Sequence, residues 1–179
     1  MNAPHIEADG TPAAAVSLPT AQQAFAIAGG VVIYVGVNPE AARLVAEMTG
    51  DPIAWPFSTV GLKAGDDDEA AAVFVLHGHQ RDEAGSRLVV SAVVGLPLTR
   101  EMLGCLAVST FYSFGADTIL MRVRRADHRT RRALERIGFT VAGPDLRPDR
   151  TPGLLYALDA RTVLPRWRRY CRHYLPTVS

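Results

Sequence analysis

The chain has 179 residues, of which 48% are hydrophobic and 21% charged, and its formal net charge is +1. This composition excludes a chain disordered throughout, a coiled coil and a collagen-like repeat; the length suits one domain burying about 70% of its unfolded surface. Two cysteines, Cys105 and Cys171, are too few for a disulfide scaffold or a structural zinc site, and no apolar run reaches the roughly 18 residues of a membrane span.

No basic segment followed by an apolar one opens the sequence, so no signal peptide is expected, and the sparse cysteines suggest a cytoplasmic, reduced protein. Residues 1–20 are rich in Ala and Pro without an apolar period. We divide the chain into a flexible arm over 1–24, a domain over 25–161 and a basic, aromatic tail over 162–179.

Val31 to Val37 is a run of β-branched and aromatic residues and predicts a strand. Asn38 and Pro39 then start a helix as N-cap and first helical residue, and Gly50 stops it. Asp51 to Phe57 contains two prolines and reads as a loop. Strands follow at 58–64, 71–79 and 87–95, separated by the acidic turn Gly65 to Glu69 and a polar turn at 80–86, which implies an antiparallel meander. The period then becomes helical from Thr99 to Phe114, with Met102, Leu103, Leu106, Ala107, Thr110 and Phe114 on one face and Gly115 at the end. A strand at 118–124, a helix at 127–137 between Asp127 and Gly138, a strand from Phe139, a last strand within 153–159 and a tail helical after Pro165 complete the order. Strand, helix, strand over 87–124 is a crossover, so those two strands should be parallel. The fold class is α/β in the α+β sense: a mixed, mostly antiparallel sheet covered by helices.

Charge is unevenly spread. Residues 1–118 hold five basic and thirteen acidic side chains, a net of −8; residues 119–179 hold fourteen Arg and five acidic residues, a net of +9. A basic third of this kind favours anionic partners.

The stretch from Asp127 through Thr130 to Gly138-Phe139 and Gly143 resembles the motif N-x-x-S-x-x-x-x-x-x-x-G-F-x-x-x-G of the GCN5-related N-acetyltransferases, with Asp127 for Asn and Thr130 for Ser. The helix block ending Phe111-Tyr112-Ser113-Phe114-Gly115 is similar to a short phage and prophage branch, which in turn resembles the acetyltransferases of ribosomal-protein N-termini. The likeness spans roughly residues 31–160. It implies that strands 87–95 and 118–124 splay apart and that the pantetheine arm of acetyl-CoA pairs with the backbone of Ala92, Val93, Val94 and Gly95. It also implies that Thr99 and Arg100 help to hold the pyrophosphate at a helix start, with Asp127 counted in the cofactor site. The loop Gly95 to Arg100 departs from the family pattern: it has no second glycine and carries Pro97. Leu134 stands where the family has its general-acid tyrosine, which leaves Thr130 or a water in that role.

The candidate bases are His77 and His79, which alternate on one strand and should share a sheet face. The same pair also reads as strand-end histidines at the lip of a turn, and with no third ligand evident no metal is expected. Ser91 on the next strand either orients a water or is a small residue for close packing. Thr130 is equally a first-turn hydroxyl bonded to its own backbone. Arg122, Arg124, Arg125, Arg129, Arg131 and Arg132 suit the 3′-phosphate of CoA, a nucleic acid, an acidic protein surface or plain solvent. The tail over 162–175 interleaves Arg with Trp167, Tyr170 and Tyr174, which suits a partner or a docked terminal helix. Two functions follow: an acetyltransferase acting on an amine of a protein or small molecule, or a non-catalytic phage or virion accessory that binds through its arginine-rich third.

Overall fold

The structure is a computed structural model, and it describes residues 23–27, 31–64, 72–95, 103–146 apart from 105 and 108, and 151–167. The first helix, α1 (Pro39–Thr49), forms where its capping chemistry places it: the Asn38 side chain accepts from the backbone N–H groups of Glu40 and Ala41, and Gly50 closes it in the left-handed region at φ 71°. The second, α2 (His128–Ile137), starts on Asp127, whose carboxylate accepts from Thr130 N at 3.0 Å, and ends on Gly138 at φ 116°.

Eight strands make one sheet: β1 (Gln23–Ile27), β2 (Val31–Gly36), β3 (Phe57–Ala64), β4 (Ala72–Asp82), β5 (Gly85–Val94), β6 (Thr118–Arg124), β7 (Thr140–Leu146) and β8 (Pro152–Asp159). Their spatial order is β1-β2-β3-β4-β5-β6-β8-β7. Every neighbouring pair is antiparallel except β5 and β6, which are parallel as the crossover requires. β1 was not predicted, because its five residues, QAFAI, include two alanines and follow a stretch without a strand period; pairing with β2 from Gln23↔Val35 to Ile27↔Val31 defines it.

Alternation along the strands sorts the core onto two faces. On one, α1 lays Ala41, Ala42 and Val45 against Val73 and Val75 of β4, with Ile53, Phe57 and Val93 around them. The other face carries the larger core: Phe74, Leu76, Leu88, Val90, Ile119, Val123 and Tyr156 of the sheet meet Leu134 of α2 and Phe111 of the crossover. The crossover is helical at Leu103–Gly104 and Leu106–Ala107 and closes in a π-helical turn over Ser109–Ser113; its expected start at Thr99 lies outside the described residues. Thr110 is fully buried there, its hydroxyl donating to Leu106 O at 2.7 Å.

The last helix, α3 (Ala160–Trp167), begins before Pro165 rather than after it. Asp159 explains the earlier start, since its side chain accepts from the N–H groups of Arg161 and Thr162. Trp167 is buried in the core, so this part of the tail docks on the domain instead of offering its aromatic ring to a partner; residues 168–179 lie outside the described residues.

Candidate functional site

Parallel pairing between β5 and β6 covers only Arg87↔Thr118, Leu88↔Ile119 and Val89↔Leu120. Both strands continue beyond that point. β5 stays on β4 as far as Val94, opposite Ala72, and β6 stays on β8 as far as Arg124, opposite Gly153. Each strand follows its antiparallel neighbour, and the pairing between them ends after Val89 and Leu120. Ala92 and Val93 are half-buried along the open stretch of β5, Val94 is exposed, and Gly95 follows it. Thr99 and Arg100 lie outside the described residues.

One side-chain group lies one strand away from the point where this pairing ends. His77 on β4 pairs across the strands with Val89, the last residue of β5 to hold β6. Its Nε2 lies 3.0 Å from Ser91 Oγ, and Ser91 Oγ donates to Asp51 Oδ2 at 2.5 Å. His77 and Asp51 are each 4% exposed and Ser91 is 2% exposed. Three elements supply the three groups: the loop after α1, β4 and β5. Burial pushes the His77 imidazole below its ordinary range, as does the Arg122 guanidinium, while the Asp51 carboxylate pulls it back up. Arg122 belongs to the same face, two residues beyond Leu120 on β6, and its Nε lies 3.6 Å from Asp145 Oδ1.

The expectation that His77 and His79 share a face is corrected by a bulge. Between the pairs His77↔Val89 and Gln80↔Arg87, the two residues Gly78 and His79 oppose the single residue Leu88. Gly78 takes φ 58°, which a side chain would resist. The extra residue reverses the alternation, so exposed His79 bonds to Ser86 Oγ at 2.6 Å, on the face opposite His77. Ser86 is held in turn by Asp117, whose Oδ2 accepts from Ser86 N at 2.8 Å.

Thr130 and Asp127 sit together at the start of α2, on the face opposite α1. Thr130 is half-buried, and Leu134, one turn further on, is buried in the core. The arginines divide. Arg122 has Asp145, and Arg131 donates to Tyr156 Oη at 3.2 Å and to Arg125 O at 3.1 Å. Arg124, Arg125, Arg129 and Arg132 are exposed.

Sequence reasoning missed Asp51. The expected loop over 51–57 is shorter by one residue, since Phe57 already opens β3, and the loop reading gave this carboxylate no part to play. The available signal was its place directly after the helix-stopping Gly50, where a side chain can turn back under α1. No group of three or more His, Cys, Asp or Glu side chains able to hold a metal occurs among the described residues. Nor is any helix there long and apolar enough to cross a membrane.

No protein-family model matches the sequence, and no curated protein does. Solved structures do resemble the fold. A presumptive acetyltransferase from T. thermophilus superposes with a TM-score of 0.59 at 16% identity, over 88% of this chain and 100% of that one. The ribosomal-protein-S5-alanine acetyltransferase from Vibrio fischeri gives 0.58 at 7% identity, over 79% and 98%. A spermidine N-acetyltransferase chimera with a Vibrio cholerae parent gives 0.58 at 7% identity, over 75% and 99%. A mixed sheet with one parallel pair, flanked by helices, is therefore shared with the acetyltransferases, and the fold is of the GCN5-related N-acetyltransferase type.

Proposed function

We propose that the protein is an N-acetyltransferase that holds acetyl-CoA in the gap between β5 and β6 and acetylates an amine of a protein or small molecule. The observation that carries this reading is the loss of β5–β6 pairing after Val89 and Leu120 while both strands run on. An open strand edge takes an extended, amide-bearing chain as it would take another strand, and pantetheine is such a chain. Ala92, Val93 and Val94, which β6 does not pair among the described residues, are the proposed partners of that arm. Gly95, Thr99 and Arg100 are the proposed phosphate end, by analogy of their place after β5. Asp127 serves the site by fixing the start of α2. Exposed Arg124, Arg125, Arg129 and Arg132 are the proposed contacts for the outer phosphate or another anion.

Bound acetyl-CoA supplies an acetyl thioester. The protein's part is to orient the acceptor and manage protons. His77, rather than His79, is the proposed base, because its cross-strand partner Val89 is the last residue of β5 to hold β6, and burial favours the neutral form that accepts a proton. Thr130, in the first turn of α2 on the other face of the sheet from His77, is the proposed donor to the departing thiolate.

Thermal unfolding with increasing acetyl-CoA tests the reading. A ligand that binds only the folded state stabilises it by about 2.7 kcal/mol at a hundred times its Kd, so a saturable rise in Tm is expected. An unchanged Tm at millimolar acetyl-CoA rules the proposal out.

A further inference from the structure

We infer that Ser91 and Asp51 act as positioning residues that lock His77 into one tautomer, with hydrogen on Nε2, so that Nδ1 is the atom that takes the acceptor's proton. The inference rests on the acetyltransferase reading for the identity of that acceptor, but the tautomer itself does not. A serine hydroxyl has one hydrogen to give. Ser91 gives it to Asp51 Oδ2 at 2.5 Å. Its oxygen therefore meets His77 Nε2, 3.0 Å away, as an acceptor, and Nε2 must carry the hydrogen. A neutral imidazole with Nε2–H has its lone pair on Nδ1. All three side chains are buried, so solvent does not compete for these bonds.

The chain of bonds also prepares His77 for charge. When the amine nitrogen forms its bond to the acyl carbon, the thioester C–S bond breaks; the amine N–H proton passes to Nδ1, and the departing thiolate takes a proton through Thr130, which regains one from water. The imidazolium keeps Nε2–H on Ser91, and the Asp51 carboxylate behind Ser91 offsets the new positive charge. Passing that proton from Nδ1 to water restores the neutral ring. The charged groups that act on His77 oppose one another: Asp51, from the loop after α1, favours the imidazolium, and Arg122, from β6, disfavours it. Phe57, opposite His77 on β3, adds no charge.

Nitrogen NMR of protein carrying ¹⁵N-histidine reads the tautomer without any activity. At pH 7.5 the His77 ring should show a protonated-type Nε2 and a bare-type Nδ1; the reverse assignment overturns the inference. Asp51→Asn should move the His77 titration to lower pH, since the carboxylate that favours the charged ring is gone. An unmoved or upward titration also overturns it. Ser91→Thr keeps a hydroxyl and should retain the wild-type titration, which guards against simple misfolding of a buried variant. In the acetylation assay, Asp51→Asn should lower kcat by about 10- to 100-fold, the usual effect of losing an outer positioning partner. Its acid limb should shift down with the NMR titration, and its KM for acetyl-CoA should be unchanged. If the NMR results hold and no amine is acetylated, the acetyltransferase reading falls and the locked tautomer stands.

Discussion

His77 shows how a residue's surroundings give it two consequences at once. Burial holds its folded-state pKa below the ordinary 6.5, so the unfolded chain binds the proton first as the pH falls. Stability from this group is therefore full above about pH 6.5 and is lost as the pH drops through the lower folded-state value. Urea unfolding at pH 7.5 and at pH 5 should show that loss, and His77→Gln should reduce it; an equal slope in the variant would refute the assignment. The same substitution should cut acetyl transfer by about 100-fold or more while leaving the KM for acetyl-CoA unchanged, as loss of a general base does. His77 and Ser91 were legible in the sequence as polar residues on apolar strands. Asp51 was not, because only the folded chain brings a residue forty positions away onto Ser91.

Elements behave as their end signals dictate, and they fail where a local irregularity intervenes. Asn38, Gly50, Asp127 and Gly138 marked the bounds of α1 and α2 by chemistry readable in the sequence. Asp127→Ala should cost about 1 kcal/mol by removing the cap on Thr130 N, measured by chemical denaturation; Asp127→Ser, which keeps an acceptor, should cost much less. The β4 bulge was not readable, since a glycine between two histidines fits a regular strand as well as a kinked one. Its φ of 58° makes Gly78→Ala destabilising by roughly 1–2 kcal/mol through the left-handed backbone alone. An added Cβ would lie in ordinary contact with Val89 Cγ2 at 3.4 Å, so the cost is the backbone's, and an alanine variant of full stability would contradict the bulge. The bulge matters beyond its own strain: it leaves His77 on Ser91 and turns His79 to Ser86 on the other face.

At the scale of the molecule, the mixed sheet and its single parallel pair followed from the order of strands and helices. The sequence pattern could place β5 beside β6, because a strand-helix-strand unit demands it. It could not show where the two strands separate, since that depends on the pull of β4 on one and β8 on the other. The stretch of β5 beyond Val89 is the proposed seat of the cofactor arm, and backbone amides there should respond to it directly. Hydrogen exchange with and without acetyl-CoA is the most direct measurement. Slower exchange confined to the open stretches over Val90–Val94 and Met121–Arg124 is the expected result. Tight binding with no protection in either stretch, or protection only elsewhere, would contradict a cofactor held between these two strands.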